Sequence, residues 1–127
     1  MGSMSDGFSG AQRTVIDRAI RAAETRSRFE FSVYVGELAQ PSRDTARALH
    51  ARLAAPTRSV LVAVDPRQRE LQIVTGADVR RTLDDKSVGL VATSMHADFA
   101  AGDLVGGLSR AVTMLAEYAD APEVMYR

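Results

Sequence analysis

The chain has no cysteine and no tryptophan among its 127 residues, and only two histidines, His50 and His96. Without cysteine there is no disulfide, no thiolate zinc site and no cysteine nucleophile, although a cysteine-free chain suits any compartment. Lone histidines make no imidazole ligand cluster, so His50, beside charged neighbours on a helix, and His96 read as surface or boundary residues. An excess of one charge is also missing: 16 Lys plus Arg balance 16 Asp plus Glu, for a formal net charge of zero. No global field then draws the chain to nucleic acid or to an anionic membrane. No apolar run approaches the roughly 20 residues that cross a bilayer, and no basic-then-apolar leader opens the sequence, so membrane insertion is not expected. A Gly-rich phosphate loop with Lys and a paired-histidine motif are both missing.

What is present fixes the fold class better than the function. Val60-Leu61-Val62-Ala63-Val64 is apolar at consecutive positions, the mark of a strand covered on both faces, so helices must lie on both sides of the sheet. Before it, Ser9 and Gln12 form a capping-box pair ahead of a helical stripe through Val15, Ile16, Ala19, Ile20 and Ala23, which predicts a helix to about Ser27. Phe29, Phe31, Val33 and Val35 alternate with Glu30, Ser32 and Tyr34 as a first strand. A second helix starts at Pro41-Ser42, buries Ala46, Leu49 and Leu53, and stops at Ala55-Pro56.

Strand, crossover helix and strand make a parallel pair, which places Glu37 and Asp65 at one carboxyl edge. Asp65-Pro66-Arg67-Gln68 has the residues of a tight turn, so the third strand, Arg69 to Thr75, returns antiparallel and ends at the opposite edge. Asp84-Asp85 starts a helix through Val88, Val91, Met95 and Phe99. Ala101-Gly102 ends it, and Asp103 caps a last helix through Leu104, Leu108, Ala111, Val112 and Leu115. Gly106-Gly107 inside that helix costs roughly 1 kcal/mol per glycine relative to alanine, which close helix packing would offset.

The expected architecture is therefore a mixed-sheet α/β, three-layer αβα sandwich, with the first two strands parallel, the third antiparallel and a helix pair at the end. Residues 1–8 read as a cloning remnant, Met1-Gly2-Ser3-Met4, and a flexible terminus; 9–120 as one domain; 121–127 as a tail. The expected location is cytoplasmic, or envelope-associated if an export signal or anchor has been trimmed away.

Several strings are similar to the TPM domain, the family shared by thylakoid-lumen photosystem-repair proteins, bacterial envelope proteins and a worm receptor-accessory protein. They are Phe31-Ser32-Val33-Tyr34-Val35, Val60 to Val64, Leu71-Gln72-Ile73-Val74-Thr75-Gly76, Leu83-Asp84-Asp85, and Phe99-Ala100-Ala101-Gly102-Asp103-Leu104-Val105-Gly106-Gly107-Leu108. The last is the most specific, resembling the family's Phe-x-x-Gly-Asp-Tyr-x-x-Gly-Leu. The chain most resembles a divergent, short actinobacterial branch of uncharacterised function. It departs from the family at Thr57-Arg58-Ser59, where an Asn-Gly pair is usual, and at Thr75-Gly76-Ala77-Asp78, where a second glycine is usual. The resemblance implies an αβα sandwich, with divalent-cation binding and acid phosphatase activity attributed to some relatives.

Two acidic groups are candidates for chemistry. Asp84 and Asp85, with Asp78 and the Thr75 hydroxyl nearby, offer oxygen ligands that suit calcium or magnesium; the alternative is that Asp84 caps a helix and Asp85 sits in its positively polarised first turn. Asp65, Glu37 and Asp103 form the second group, for which turn and cap roles compete. Arg58, Arg80 and Arg81 can supply positive charge near Thr75-Gly76, whereas Arg43, Arg47 and Arg52 read as a solvated helix face.

The reading is a non-catalytic TPM-like module with no certain cofactor. Its ligand site is Thr75, Gly76, Arg58 and Arg80, and its partner is another protein or a small ligand. The alternative is a divalent-metal acid phosphatase holding its metal at Asp84, Asp85 and Asp78. A second copy, paired along the edge of the alternating first strand, is a further partner to test.

Overall fold

The apolar run at the middle of the chain is the central strand of a three-stranded sheet. In the computed structural model, which describes residues 7–120, β1 (Glu30–Val35), β2 (Ser59–Asp65) and β3 (Glu70–Thr75) lie side by side in that order. β1 and β2 are parallel, with Phe31 opposite Val60 and Val35 opposite Val64. β3 is antiparallel to β2, with Asp65 opposite Glu70 and Val60 opposite Thr75. Every residue of β2 is buried, as a strand with two neighbours and two covered faces requires. Its side chains alternate between two cores: Val60, Val62 and Val64 join Phe31 and Ile73 on one face, while Leu61 and Ala63 join Val74 on the other.

Helices α1 (Gly10–Ser27), α3 (Asp85–Ala100) and α4 (Leu104–Ala119) cover the first face, with α4 in the middle against both others. The capping box is present: Ser9 Oγ accepts from Gln12 N and Gln12 Oε1 from Ser9 N. α4 buries Gly107, Leu108, Ala111, Val112, Leu115, Ala116 and Ala119, the widest apolar stripe of the four helices. A Cβ on Gly107 would sit 2.9 Å from the Phe99 ring and from Asp98 Cβ. The expected close approach is therefore that of α4 to the end of α3.

The other face is covered by α2 (Ser42–Ala51), which lies over β2 and β3 and buries Ala46 above Leu61, Ala63 and Val74. α2 ends at Ala51, sooner than expected, and a short 3-10 turn, Pro56–Arg58, leads into β2. The helix also turns His50 inward, not toward solvent: it is 8% exposed, and its Nε2 lies 2.9 Å from the Ser59 carbonyl. Ser42, Ala46 and His50 are spaced four apart and share the buried face. An imidazole is tolerated there because a carbonyl receives its N–H.

Before α1, Phe8 is half-buried against the larger core. Residues 1–6, which include the expected remnant, and the expected tail from Ala121 onward lie outside the described residues. Among the described residues no helix is long and apolar enough to cross a membrane.

Candidate functional site

Among the described residues, clefts open at both ends of the sheet. The larger, about 780 Å3, lies beyond the carboxyl ends of β1 and β2 and is lined by Gly36 to Gln40 and by Asp65 to Gln68. It brings Glu37 and Asp65 to one edge, as the parallel crossover requires. Asp65 is 2% exposed and fully engaged. Its Oδ2 accepts from Leu38 N at 2.9 Å and from the Gln68 side-chain amide, and its Oδ1 accepts from Arg67 N and Gln68 N at 3.1 and 3.2 Å. These donors, the Leu38 N–H first and the Gln68 amide second, hold its carboxyl below the usual value of 3.8 against the opposing effect of burial. Asp65 thus ties the β1–α2 loop to the β2–β3 turn.

The smaller cleft, about 360 Å3, lies at the other edge, between α2 and the end of β3. Its geometry starts with Gly76. The chain leaving β3 passes beneath the Pro56–Arg58 turn, joined to it by Gly76 N to Ser59 O and Asp78 N to Thr57 O, both 2.9 Å. A Cβ at residue 76 would overlap the carbonyl oxygens of Pro56 and Thr57, so only glycine fits. The 3-10 turn Val79–Arg81 follows and brings Arg80 back, where its guanidinium donates to the Thr75 carbonyl. From the facing helix come Arg43 and Arg47, four residues apart on one face, with His50 one turn further on. Arg43 Nη1 donates to the Ile73 carbonyl at 2.8 Å. Among the described residues none of the three arginines has a carboxylate partner, and every charged side chain lining the cleft is an arginine.

Of the residues singled out in the sequence, Thr75, Gly76 and Arg80 meet in this cleft. Arg58 and Arg81 do not line it; Arg58 lies 5.4 Å from the centre of the Phe29 ring and donates to the Arg28 carbonyl. Asp84 caps α3 through Ser87 N at 2.8 Å, the main cause of its lowered pKa, and Asp85 follows in the first turn. Asp103 lies apart from Asp65 and Glu37. It caps α4 through Gly106 N and pairs at 2.9 Å with Arg110, which lowers its pKa; Arg110 also reaches Asp98. Among the described residues no three His, Asp or Glu side chains gather as a metal-ligand group. Arg43, Arg47 and His50 are the cleft residues that a solvated-face reading of α2 misses. The available signal was the spacing of four and three that sets all of them on one helical face.

A three-stranded mixed sheet between one helix and three defines the protein as a small α/β/α domain with a cationic cleft at one sheet edge. Residues 2–116 match the model of a domain of unknown function, DUF5130, and the chain belongs to that family. It is 28% identical over 108 residues to uncharacterised proteins from two strains of Mycobacterium tuberculosis, covering 85% of this chain and 65% of theirs. The chain thus spans under two thirds of the length of these curated relatives. The fold is shared with solved structures of low identity. The BA42 protein of Bizionia argentinensis superposes with a TM-score of 0.80 at 17% identity, covering 94% of this chain and 86% of that one. The N-terminal domain of a P. gingivalis protein gives 0.79 at 22% identity, covering 91% and 79%. At these identities the likeness concerns the fold.

Proposed function

We propose that the chain is a non-catalytic, TPM-like binding module that takes its ligand in the cleft between α2 and the end of β3. The observation that carries this reading is the convergence of Thr75, Gly76 and Arg80 with Arg43 and Arg47 around one concave site of about 360 Å3, within the usual range of small-ligand pockets. Catalysis by metal-activated water would need free carboxylates beside that site. Asp84 is engaged as a helix cap and Asp65 as a turn and loop tie. The strings shared with the TPM domain support a common ancestry and leave divalent-cation phosphatase activity, with ligands at Asp78, Asp84 and Asp85, as the rival.

Two measurements test the reading. A screen of small polar fragments followed by amide chemical shifts is expected to cluster its hits on Thr57, Thr75 to Ala77 and Arg80; hits confined to the larger cleft, or to neither, would overturn it. Pure protein is expected to leave p-nitrophenyl phosphate intact with millimolar calcium or magnesium. Turnover that disappears in a folded Asp85→Ala variant would establish the rival instead.

A further inference from the structure

We infer that the ligand of this cleft is an oxyanion carrying two or more negative charges, bound and released without being cleaved. The inference rests on the binding reading above and names its ligand class. Three guanidiniums, Arg43 and Arg47 from α2 and Arg80 from the turn after β3, surround one opening. The chain has as many acids as bases, and Arg26 and Arg110 are each paired with two carboxylates elsewhere on the surface. Among the described residues no acid lines this cleft to answer the bases. Arg43 and Arg47 are like charges at helical spacing i and i+4, an arrangement that by itself disfavours the helix. Adding Arg80 opposite them increases the repulsion, and a bound anion removes it.

The arginines are also partly positioned in advance. Arg43 is anchored on the Ile73 carbonyl and Arg80 on the Thr75 carbonyl, so each has less freedom to lose on binding and keeps further N–H groups for a ligand. Arg47 has no partner among the described residues. Planar guanidiniums from two elements suit the forked oxygens of phosphate or carboxylate groups better than a halide or a neutral sugar. The cleft faces solvent, and among the described residues that line it no general base is present other than His50, whose Nε2 is engaged by the Ser59 carbonyl. That arrangement favours holding an anion over attacking it.

The experiment is an amide-shift titration of the whole chain with sodium pyrophosphate and, separately, with sodium citrate. Saturable shifts confined to Thr57, Thr75 to Ala77 and Arg80 are expected. Arg47→Gln, which removes an exposed and unpartnered side chain, and Arg80→Gln are each expected to weaken binding roughly tenfold, the size of one lost charge-assisted hydrogen bond. Tighter binding of pyrophosphate would assign phosphate compounds, and tighter binding of citrate would assign carboxylates; either supports the inference. Shifts scattered over all surface arginines without saturation, or equal affinities in the wild type and both variants, would overturn it. If neutral fragments occupy the cleft while both anions fail, the binding reading survives and the oxyanion falls. If neither fragments nor anions engage it, both fall.

Discussion

Asp65 has the most concentrated role of any single side chain. One buried carboxylate accepts four hydrogen bonds from Leu38, Arg67 and Gln68, closing a turn and holding the start of the β1–α2 loop. Because those donors favour the charged form, its folded-state pKa lies below the ordinary 3.8. The unfolded chain then binds the proton more readily, so stability from this residue is complete above pH 3.8 and is lost as pH falls through the lowered value. Urea unfolding from pH 7 to 2 is expected to find Asp65→Asn less stable than the wild type at neutral pH, with the gap narrowing in acid. A gap of constant size would refute the assignment. The turn residues made Asp65 readable from sequence; its bond to Leu38, 27 positions away, belongs to the fold. His50 is the converse case, since its charged neighbours suggest solvent while the packing of α2 turns it toward Ser59.

Glycines separate the elements into those that touch and those that do not. Gly76 passes against the Pro56–Arg58 turn and Gly107 against Phe99, whereas Gly89 on α3 faces open space. Gly76→Ala and Gly107→Ala are expected to destabilise by about 1–3 kcal/mol, the usual cost of forcing atoms into packed space. Gly89→Ala should stabilise by about 0.5–1 kcal/mol through helix propensity. Thermal melts of the three variants check this, and a stable Gly76→Ala would contradict the close backbone approach that shapes the smaller cleft. The elements themselves were legible in sequence almost to their ends: the capping box of α1, the Asp84 and Asp103 caps, and the turn at Asp65-Pro66 are local devices with local partners. The end of α2 was misjudged because no glycine follows Ala51 to mark it: Arg52 caps the helix in an ordinary helical conformation, which carries no sequence signal.

At the scale of the whole molecule, β2 is the seam between two cores of unequal size. A large helical layer lies on one side and α2 alone on the other. Because β2 is buried along its entire length, its amides are expected to exchange slowest with solvent, at or near the rate of global unfolding, while those of α2 exchange through smaller openings. Native-state hydrogen exchange tests this; faster exchange in Val60 to Val64 than in α2 would reverse the order.

By itself the sequence determined the sandwich, because a strand apolar at every position has to be covered twice, and it determined the reversal of β3, because Asp-Pro at a strand end closes a tight turn. Only the tertiary structure decided which charges meet. Arg43 and Arg47 are more than 30 residues from Arg80 along the chain, and they share a cleft because the sheet edge and α2 bring them together. Periodicity assigns a residue to a face; the distance between two faces is set by packing, which no local pattern encodes.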